Sequence, residues 1–379
     1  MPSLLLENRE LLSIRPDAWA GSFVAKESTL HQLSPYIGKL KSGMAAELIS
    51  QLTAPGDAIY DPFAGSGTVA LEAWAHGRNV YANDLSPYAK LLLTAKLRRP
   101  PPTLDQAKSK LIRYSKKVEK LTADLNISNV PQFAREFFHH QTLREILAWC
   151  EILTANDERF FLACLMGILH HQRPGFLSYP ASHAVPYLRT AKFPRSEFPV
   201  LYEYRSVLDR LERKVERALR RVPELDPKLI RSIHSTDASA LRIPSGVHAI
   251  ITSPPYMRRL SYARDNRLRL WFLGVQAIEP LDRILSPRAT EFLTLMKKSL
   301  LCWHSMLKVG GYCALVVGDE SLPGGLPRLP EALIQLATAK RVGFRLADSQ
   351  SDPIPPERRV RRNASGSKSE AIIVLQKVS

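Results

Sequence analysis

Apolar residues follow two different rhythms along this chain. Through residues 36–97, and again from about 229 onward, short apolar runs alternate with helical periods, whereas the stretch between is helical almost throughout. Over residues 36–52, Met44, Leu48, Ile49 and Leu52 share one face, which predicts a helix. Pro55-Gly56-Asp57 ends it and leads into a strand at 58–60. A helix over 69–76 closes at Gly77, a second strand occupies 79–82, and Pro87 opens a helix to about Leu97.

Pro100-Pro101-Pro102 marks the change of rhythm. Residues 108–125 read as a basic helix, 133–169 carry apolar helical periodicity, and 176–198 form a proline- and aromatic-bearing loop region. Residues 205–222 form an amphipathic helix with Leu208, Leu211, Val215, Leu219 and Val222 on one side and a largely basic opposite side. Alternation then resumes: strands at 229–233, 249–252 and 312–317, the last introduced by Gly310-Gly311, and helices near 265–273, 290–307 and 329–340. Segments 344–348 and 371–376 read as a terminal antiparallel hairpin. The expected fold class is α/β, a parallel sheet with helices on both faces and a mostly helical insertion. The expected organisation is an arm over 1–34 carrying Trp19 and Phe23, a main unit of 35–99 and 229–379, and the insertion over 100–228.

Two strand ends carry candidate chemistry. The first is Asp61-Pro62-Phe63-Ala64-Gly65-Ser66-Gly67-Thr68, between an apolar strand and a helix. In open α/β sheets ligands bind beyond the carboxyl ends of strands. Gly65 and Gly67 let backbone approach a ligand closely and permit dihedrals that a side chain forbids. Asp61 can accept hydrogen bonds from an ammonium, and Asp84, ending the second strand, can hold a ribose diol. A dinucleotide site competes with this reading, but Gly-x-Gly-x-x-Gly is absent, and no Gly-Lys-Ser/Thr follows as in a Walker loop.

The second strand end is Ser253-Pro254-Pro255-Tyr256, closing the run His248-Ala249-Ile250-Ile251-Thr252. An exocyclic amine is a poor nucleophile because its lone pair is delocalised into the ring. Acceptors for both amino hydrogens favour a pyramidal nitrogen and drain charge as a bond forms. Ser253 offers a side-chain oxygen, the Pro254 carbonyl a second acceptor held by proline geometry, Pro255 further stiffness, and Tyr256 a ring to stack on a base. A Pro-Pro turn that merely ends a strand is the bland alternative.

In this order the two motifs resemble the amino-methylating branch of the S-adenosylmethionine-dependent DNA methyltransferases. The resemblance covers roughly 30–98 and 230–379, with the cofactor motifs ahead of the catalytic turn. It implies a Rossmann-like methyltransferase sheet and a cofactor, S-adenosylmethionine, lined by Asp61, Phe63, Gly65, Ser66, Gly67, Thr68 and Asp84. Thr236-Asp237-Ala238 matches the third cofactor motif and brings in Asp237. Tyr36 and Lys39 fall in the segment that folds over the methionine end of the cofactor in this family. Ser253, Pro254, Pro255 and Tyr256 take the catalytic positions. In the family Ser-Pro-Pro-Tyr goes with cytosine N4, and Asp/Asn-Pro-Pro-Tyr with adenine N6 or guanine N2. The chain departs from the best-known unpermuted arrangement, because its long insertion lies between the Asp84 and Asp237 motifs.

Composition adds a partner. The formal charge of +17 and a pI near 9.8 point to a polyanion, and nucleic acid is the usual one. Arg258 and Arg259, just past the turn, and Arg358, Arg359, Arg361 and Arg362 in a late loop are the candidate phosphate contacts, with a solvated basic surface as the competing reading. A base within a duplex cannot reach such a turn, so the target is flipped out or single-stranded. No cysteine follows a proline, which disfavours cytosine C5 chemistry. Cysteine and histidine spacings suit neither a disulfide framework nor a metal site, and no apolar run is long enough to cross a bilayer. The expectation is a soluble cytoplasmic enzyme acting on DNA, without metal or membrane, with a cognate restriction endonuclease as candidate partner. An RNA amino-methyltransferase and a catalytically silent nucleic-acid-binding subunit remain the alternatives.

Overall fold

Alternate residues of each central strand face opposite cores, so the strands can only be buried as the middle layer of a sandwich. The computed structural model describes residues 12, 14–20, 27–182, 185–243, 246–255, 261–324, 326–354 and 368–378. Seven strands form one sheet: β1 (Ala58–Asp61), β2 (Asn79–Asn83), β3 (Arg231–His234), β4 (Val247–Thr252), β5 (Leu307–Gly318), β6 (Phe344–Pro353) and β7 (Ser369–Lys377). Their order is β3-β2-β1-β4-β5-β7-β6. The first five are parallel, and β7 runs antiparallel between β5 and β6. The protein is therefore α/β, with the expected terminal hairpin.

On one face Ile59, Ala249, Ile251, Ala314 and Val316 pack against the helices Ser42–Leu52 and Thr68–Ala75. On the other, Tyr60, Ile250, Cys313 and Leu315 pack against Ala289–Met306 and Leu329–Thr338. The helix Pro87–Leu97 has two apolar sides. Leu93 and Leu97 face the sheet, while Leu91 and Leu92 face the insertion. The insertion fills the β2-to-β3 crossover with the helices Leu104–Asp124, His140–Ala155, Arg159–Gly167 and Val207–Ala218, packed in one core with Leu268 and Leu270 from beyond β4.

Several boundaries differ from expectation for identifiable reasons. The helix expected from residue 36 starts at Ser42, because the preceding segment is pinned as a loop: the Tyr88 hydroxyl lies 2.5 Å from Ser34 Oγ and donates to the Pro35 carbonyl at 2.6 Å. Gly310 and Gly311 lie inside β5 instead of ahead of it. There the register jumps from Val247–Leu307 to Ala249–Tyr312, a bulge. A helix at Glu279–Leu285 has no counterpart in the sequence reading. The arm is built into the fold where it is described: Trp19, on the short helix Asp17–Ala20, is 2% exposed and packs with Ile14 and Met44. Phe23 lies outside the described residues.

The insertion docks through a close approach. A Cβ at Gly167 would overlap the carbonyl oxygen of Leu33, beside the Pro35 loop. Gly167→Ala should therefore cost about 1–3 kcal/mol, read as a lower midpoint in urea unfolding; an unchanged midpoint would mean that the approach can relax freely.

Candidate active site

The strand order reverses between β1 and β4, and parallel sheets open a crevice at such a point. The two strands pair in register at Ile59–Ala249 and Tyr60–Ile250, so both motifs leave the sheet side by side. The Thr252 hydroxyl donates to Asp61 Oδ1 at 2.7 Å, and the Phe63 amide lies 3.2 Å from the Thr252 oxygen. Beyond them opens a cavity of about 360 Å³. Gly65 and Ser253 both line it.

Most of the residues singled out in the sequence meet here. Tyr36, Lys39, Asp61, Phe63, Gly65 and Ser66 line the cavity, as do Thr68, Asp84, Asp237, Ser253 and Pro255. Gly67 and Pro254 are not among the lining residues. Gly67 lies beneath, where a Cβ would come within 2.9 Å of Leu93 Cδ2. Tyr256, Arg258, Arg259, Arg358, Arg359, Arg361 and Arg362 lie outside the described residues. Arg264 is described and faces Asp282, with Nε 3.6 Å from the carboxylate.

The glycine loop is shaped by its neighbours. Gly65 and Gly67 take positive φ of 50° and 74°, which L side chains resist. A Cβ at Gly65 would sit 3.0 Å from Tyr36 Cε1, so the missing side chain is what lets the tyrosine ring lie against the loop. From above, Asp84 Oδ2 accepts from the Gly65 amide at 2.8 Å, while Oδ1 accepts from Ser86 at 2.8 Å. Asn83 joins three strand ends. Its Nδ2 donates to the carbonyls of Pro62 (3.1 Å) and Thr236 (3.0 Å), and its Oδ1 accepts from the Thr236 amide at 2.9 Å. That contact holds Asp237, whose Oδ1 caps Ser239, at the cavity edge.

Electrostatics single out the two buried carboxylates. Burial pushes Asp61 up to about 7 against the pull of its Thr252 and Phe63 hydrogen bonds, and pushes Asp84 up to about 6. Asp61 Oδ2 accepts no hydrogen bond among the described residues, so a donor on the cavity side has a free carboxylate oxygen to meet.

Sequence reasoning missed Lys96. On the helix Pro87–Leu97 it reads as a solvated last-turn lysine, yet it is 2% exposed and its Nζ donates to the Ser66 carbonyl at 2.5 Å. Burial lowers its pKa to about 7. With Leu93 one turn earlier, it clamps the loop from below. In Lys96→Met the Ser66 carbonyl loses its donor but no charge is buried. Amides of residues 64–68 should then exchange faster with solvent while the fold persists; unchanged protection would show that the loop shapes itself. A folded-state pKa below the unfolded 10.5 means that the unfolded chain binds more protons between about 7 and 10.5. Across that window stability should rise with pH in the natural protein relative to Lys96→Met.

Comparisons with known proteins bear on this region. Residues 17–94 match the N6/N4 methyltransferase family model described as DNA methylase. The match spans the Tyr36 loop, the glycine loop and Asp84, and stops short of Ser253. The chain is 31% identical over 137 residues to Type II methyltransferase M.MvaI of Kocuria varians, covering 33% of this chain and 30% of that protein. It is 24% identical over 370 residues to Type II methyltransferase M.BsoBI of Geobacillus stearothermophilus, covering 83% and 66%. The chain thus spans less than two thirds of either relative. Among solved structures, TrmN from Thermus thermophilus aligns over 92% of this chain and 52% of that one, at 15% identity and a TM-score of 0.34, too slight a likeness to bear on function. Through residues 17–94, which carry the glycine loop and Asp84, the chain is similar to the family model described as DNA methylase.

Proposed function

We propose that the cavity binds S-adenosylmethionine and that the chain transfers its methyl group to an exocyclic amino group of a base in DNA, cytosine N4 ahead of adenine N6. The observation that carries this reading is the shared cavity, with Gly65 and Asp84 on one side and Ser253 and Pro255 on the other. Its volume lies within the range of small-molecule sites. Its polar groups suit the ligand: a free oxygen on Asp61 for an ammonium, Asp84 for ribose hydroxyls, and Lys39 for a carboxylate. When bound, the cofactor supplies a methyl group activated on a sulfonium. Ser253 Oγ and the Pro254 carbonyl accept the amino hydrogens and orient the nitrogen, and Tyr256 stacks on the base. Asp61 and Asp84 fix the other reactant, so the acceleration comes mainly from alignment.

The cysteines support an amino target over ring carbon. Cys150, Cys164, Cys302 and Cys313 are all buried, none lines the cavity, and burial pushes Cys150 and Cys164 up to about 12. No thiolate is offered to attack a pyrimidine ring. The family model matched by residues 17–94 is described as DNA methylase, which favours DNA, and a cognate restriction endonuclease belongs to the same proposal.

Labelled cofactor offered with DNA and with RNA, followed by mass spectrometry of the nucleosides, tests the whole reading. N4-methylcytosine in DNA is expected; label confined to RNA, or on cytosine C5, would overturn it. Ser253→Ala should lower kcat by about 10²-fold with the cofactor KM unchanged.

Titration gives a further expectation. Asp61 and Asp84 have raised folded-state pKa values, so their contribution to stability is full below the ordinary carboxylate range and is lost as pH rises through about 6 to 7. Cofactor binding needs the ionised forms and should run the opposite way. Calorimetric affinity should be higher at pH 8 than at pH 6, and Asp61→Asn should weaken binding and flatten the dependence. Equal affinity at both pH values in the natural protein would argue against a role for these carboxylates.

A further inference from the structure

The loop region at 172–198 leaves the helical insertion and, at Pro186, meets the segment beyond β4. Its backbone is anchored from below. The Leu177 and Ser178 amides donate to the carbonyls of Ile168 and Leu169, each at 2.9 Å, and the Tyr179 amide donates to Phe137 at 2.7 Å. Buried Arg205 donates to the carbonyls of Phe176 (3.0 Å) and Leu201 (2.7 Å), and the Tyr202 hydroxyl donates to Phe193 at 2.5 Å. A lateral tie reaches the catalytic side: Arg267 donates to the Pro186 carbonyl at 3.2 Å. Arg267 opens the helix Arg267–Phe272, directly after the turn of helix Tyr262–Asp265 that places Tyr262 on the cavity wall.

What this anchored loop turns outward is unusual. Tyr187 is 50% exposed and Phe198 is 38% exposed. Arg173, Lys192 and Arg195 are exposed, and half-buried Arg189 donates to Gln172 at 2.6 Å. Glu197 is the one acidic residue in the stretch. Among the described residues none of the four cations has a carboxylate partner. Single exposed rings are ordinary on a protein surface. Lys192 lies over the Phe193 ring at 5.6 Å and Arg195 over the Tyr202 ring at 5.7 Å, contacts that leave their charge unneutralised. Rings interleaved with cations that lack a carboxylate suit a different partner: a strand whose phosphates meet the cations and whose bases offer faces to stack on.

We infer that the 172–198 loop is a nucleic-acid contact surface that grips the DNA strand flanking the target base, with Tyr187 and Phe198 as stacking rings and Arg173, Lys192 and Arg195 on phosphates. This deepens the proposed function and rests on it for the identity of the strand. Because the described residues of the loop are tied to the insertion by the bonds above, little ordering cost attaches to their use. A protein partner would need a continuous apolar patch, which alternating cations break up.

The experiment is fluorescence anisotropy with a labelled DNA duplex and its single strand across a salt series, alongside methyl transfer and cofactor calorimetry. All substituted positions are at the surface, so folding should persist, which the calorimetry checks. Tyr187→Ala with Phe198→Ala should weaken DNA binding by about tenfold or more. Arg173→Gln with Lys192→Gln and Arg195→Gln should make the slope of log K against log salt shallower by about 2–3 units. Cofactor affinity should not change in either. DNA affinity and salt slope equal to those of the natural protein would overturn the surface even if methyl transfer to DNA is confirmed. Loss of binding in the variants, in a protein that methylates no nucleic acid, would uphold the surface and remove the methyltransferase reading.

Discussion

Everything at the cavity depends on β1 and β4 being neighbours. The chain leaves β1 toward β2 and β3 on one side and returns through β4 toward β5 on the other, so no helix crosses over the gap between them. Asp61 and Thr252, 191 residues apart in the chain, close that gap with a buried 2.7 Å hydrogen bond. Such a bond does two jobs. It satisfies one oxygen of a carboxylate that burial otherwise penalises, and it fixes the distance from the glycine loop to the residue after Thr252, which is Ser253. A slip of one residue in this pairing would turn Ile250 and Ile251 to the wrong cores and carry Ser253 off the cavity.

The parts of this site that were legible in the sequence are those with special backbone demands. Glycines at 65 and 67 and prolines at 254 and 255 announce turns by their own chemistry, whatever surrounds them. The parallel strands were legible as apolar runs bounded by such turns, and a parallel sheet followed from their alternation with helices, whereas the strand order β3-β2-β1-β4-β5-β7-β6 came only from the structure. Lys96 was not legible, because a lysine in the last turn of a helix is ordinarily solvated; only the tertiary fold shows the Ser66 carbonyl waiting at its tip. Asn83 and Thr252 were hidden for the same reason, as short polar residues whose partners lie across the sheet. The late start of the helix at Ser42 belongs with them. Periodicity extended it to Tyr36, and the Tyr88 hydroxyl overrode that preference by holding Ser34 and Pro35 in a loop.

The insertion is coupled to the cavity through buried contacts. Arg269, 1% exposed and downstream of Ser253, donates to the Met166 carbonyl on the insertion helix Arg159–Gly167 and lies over the ring of Tyr88, 5.6 Å from its centroid. Tyr88 in turn pins the loop that presents Tyr36, and the two rings stack at 5.8 Å. Four segments far apart in the chain thus meet around one tyrosine: the insertion, the helix after β2, the segment after β4 and the Tyr36 loop. A cation buried against an aromatic face, with carbonyl and amide acceptors at its edge, tolerates little displacement.

That coupling bears on where a long substrate can sit. Under the proposed function the cavity would take in a small molecule, whereas a DNA strand would lie outside it and pass only one base inward. The outer support has to keep register with the inner one to within a fraction of an ångström for the reacting atoms to align. A flexible appendage would serve affinity without serving alignment. An insertion sharing its core with Ala263, Leu268 and Leu270, shortly after Ser253 in the chain, can serve both. Its place in the β2-to-β3 crossover then has a physical rationale: the connection runs beside the helix that clamps the glycine loop, so one packed layer supports both that loop and the 172–198 loop.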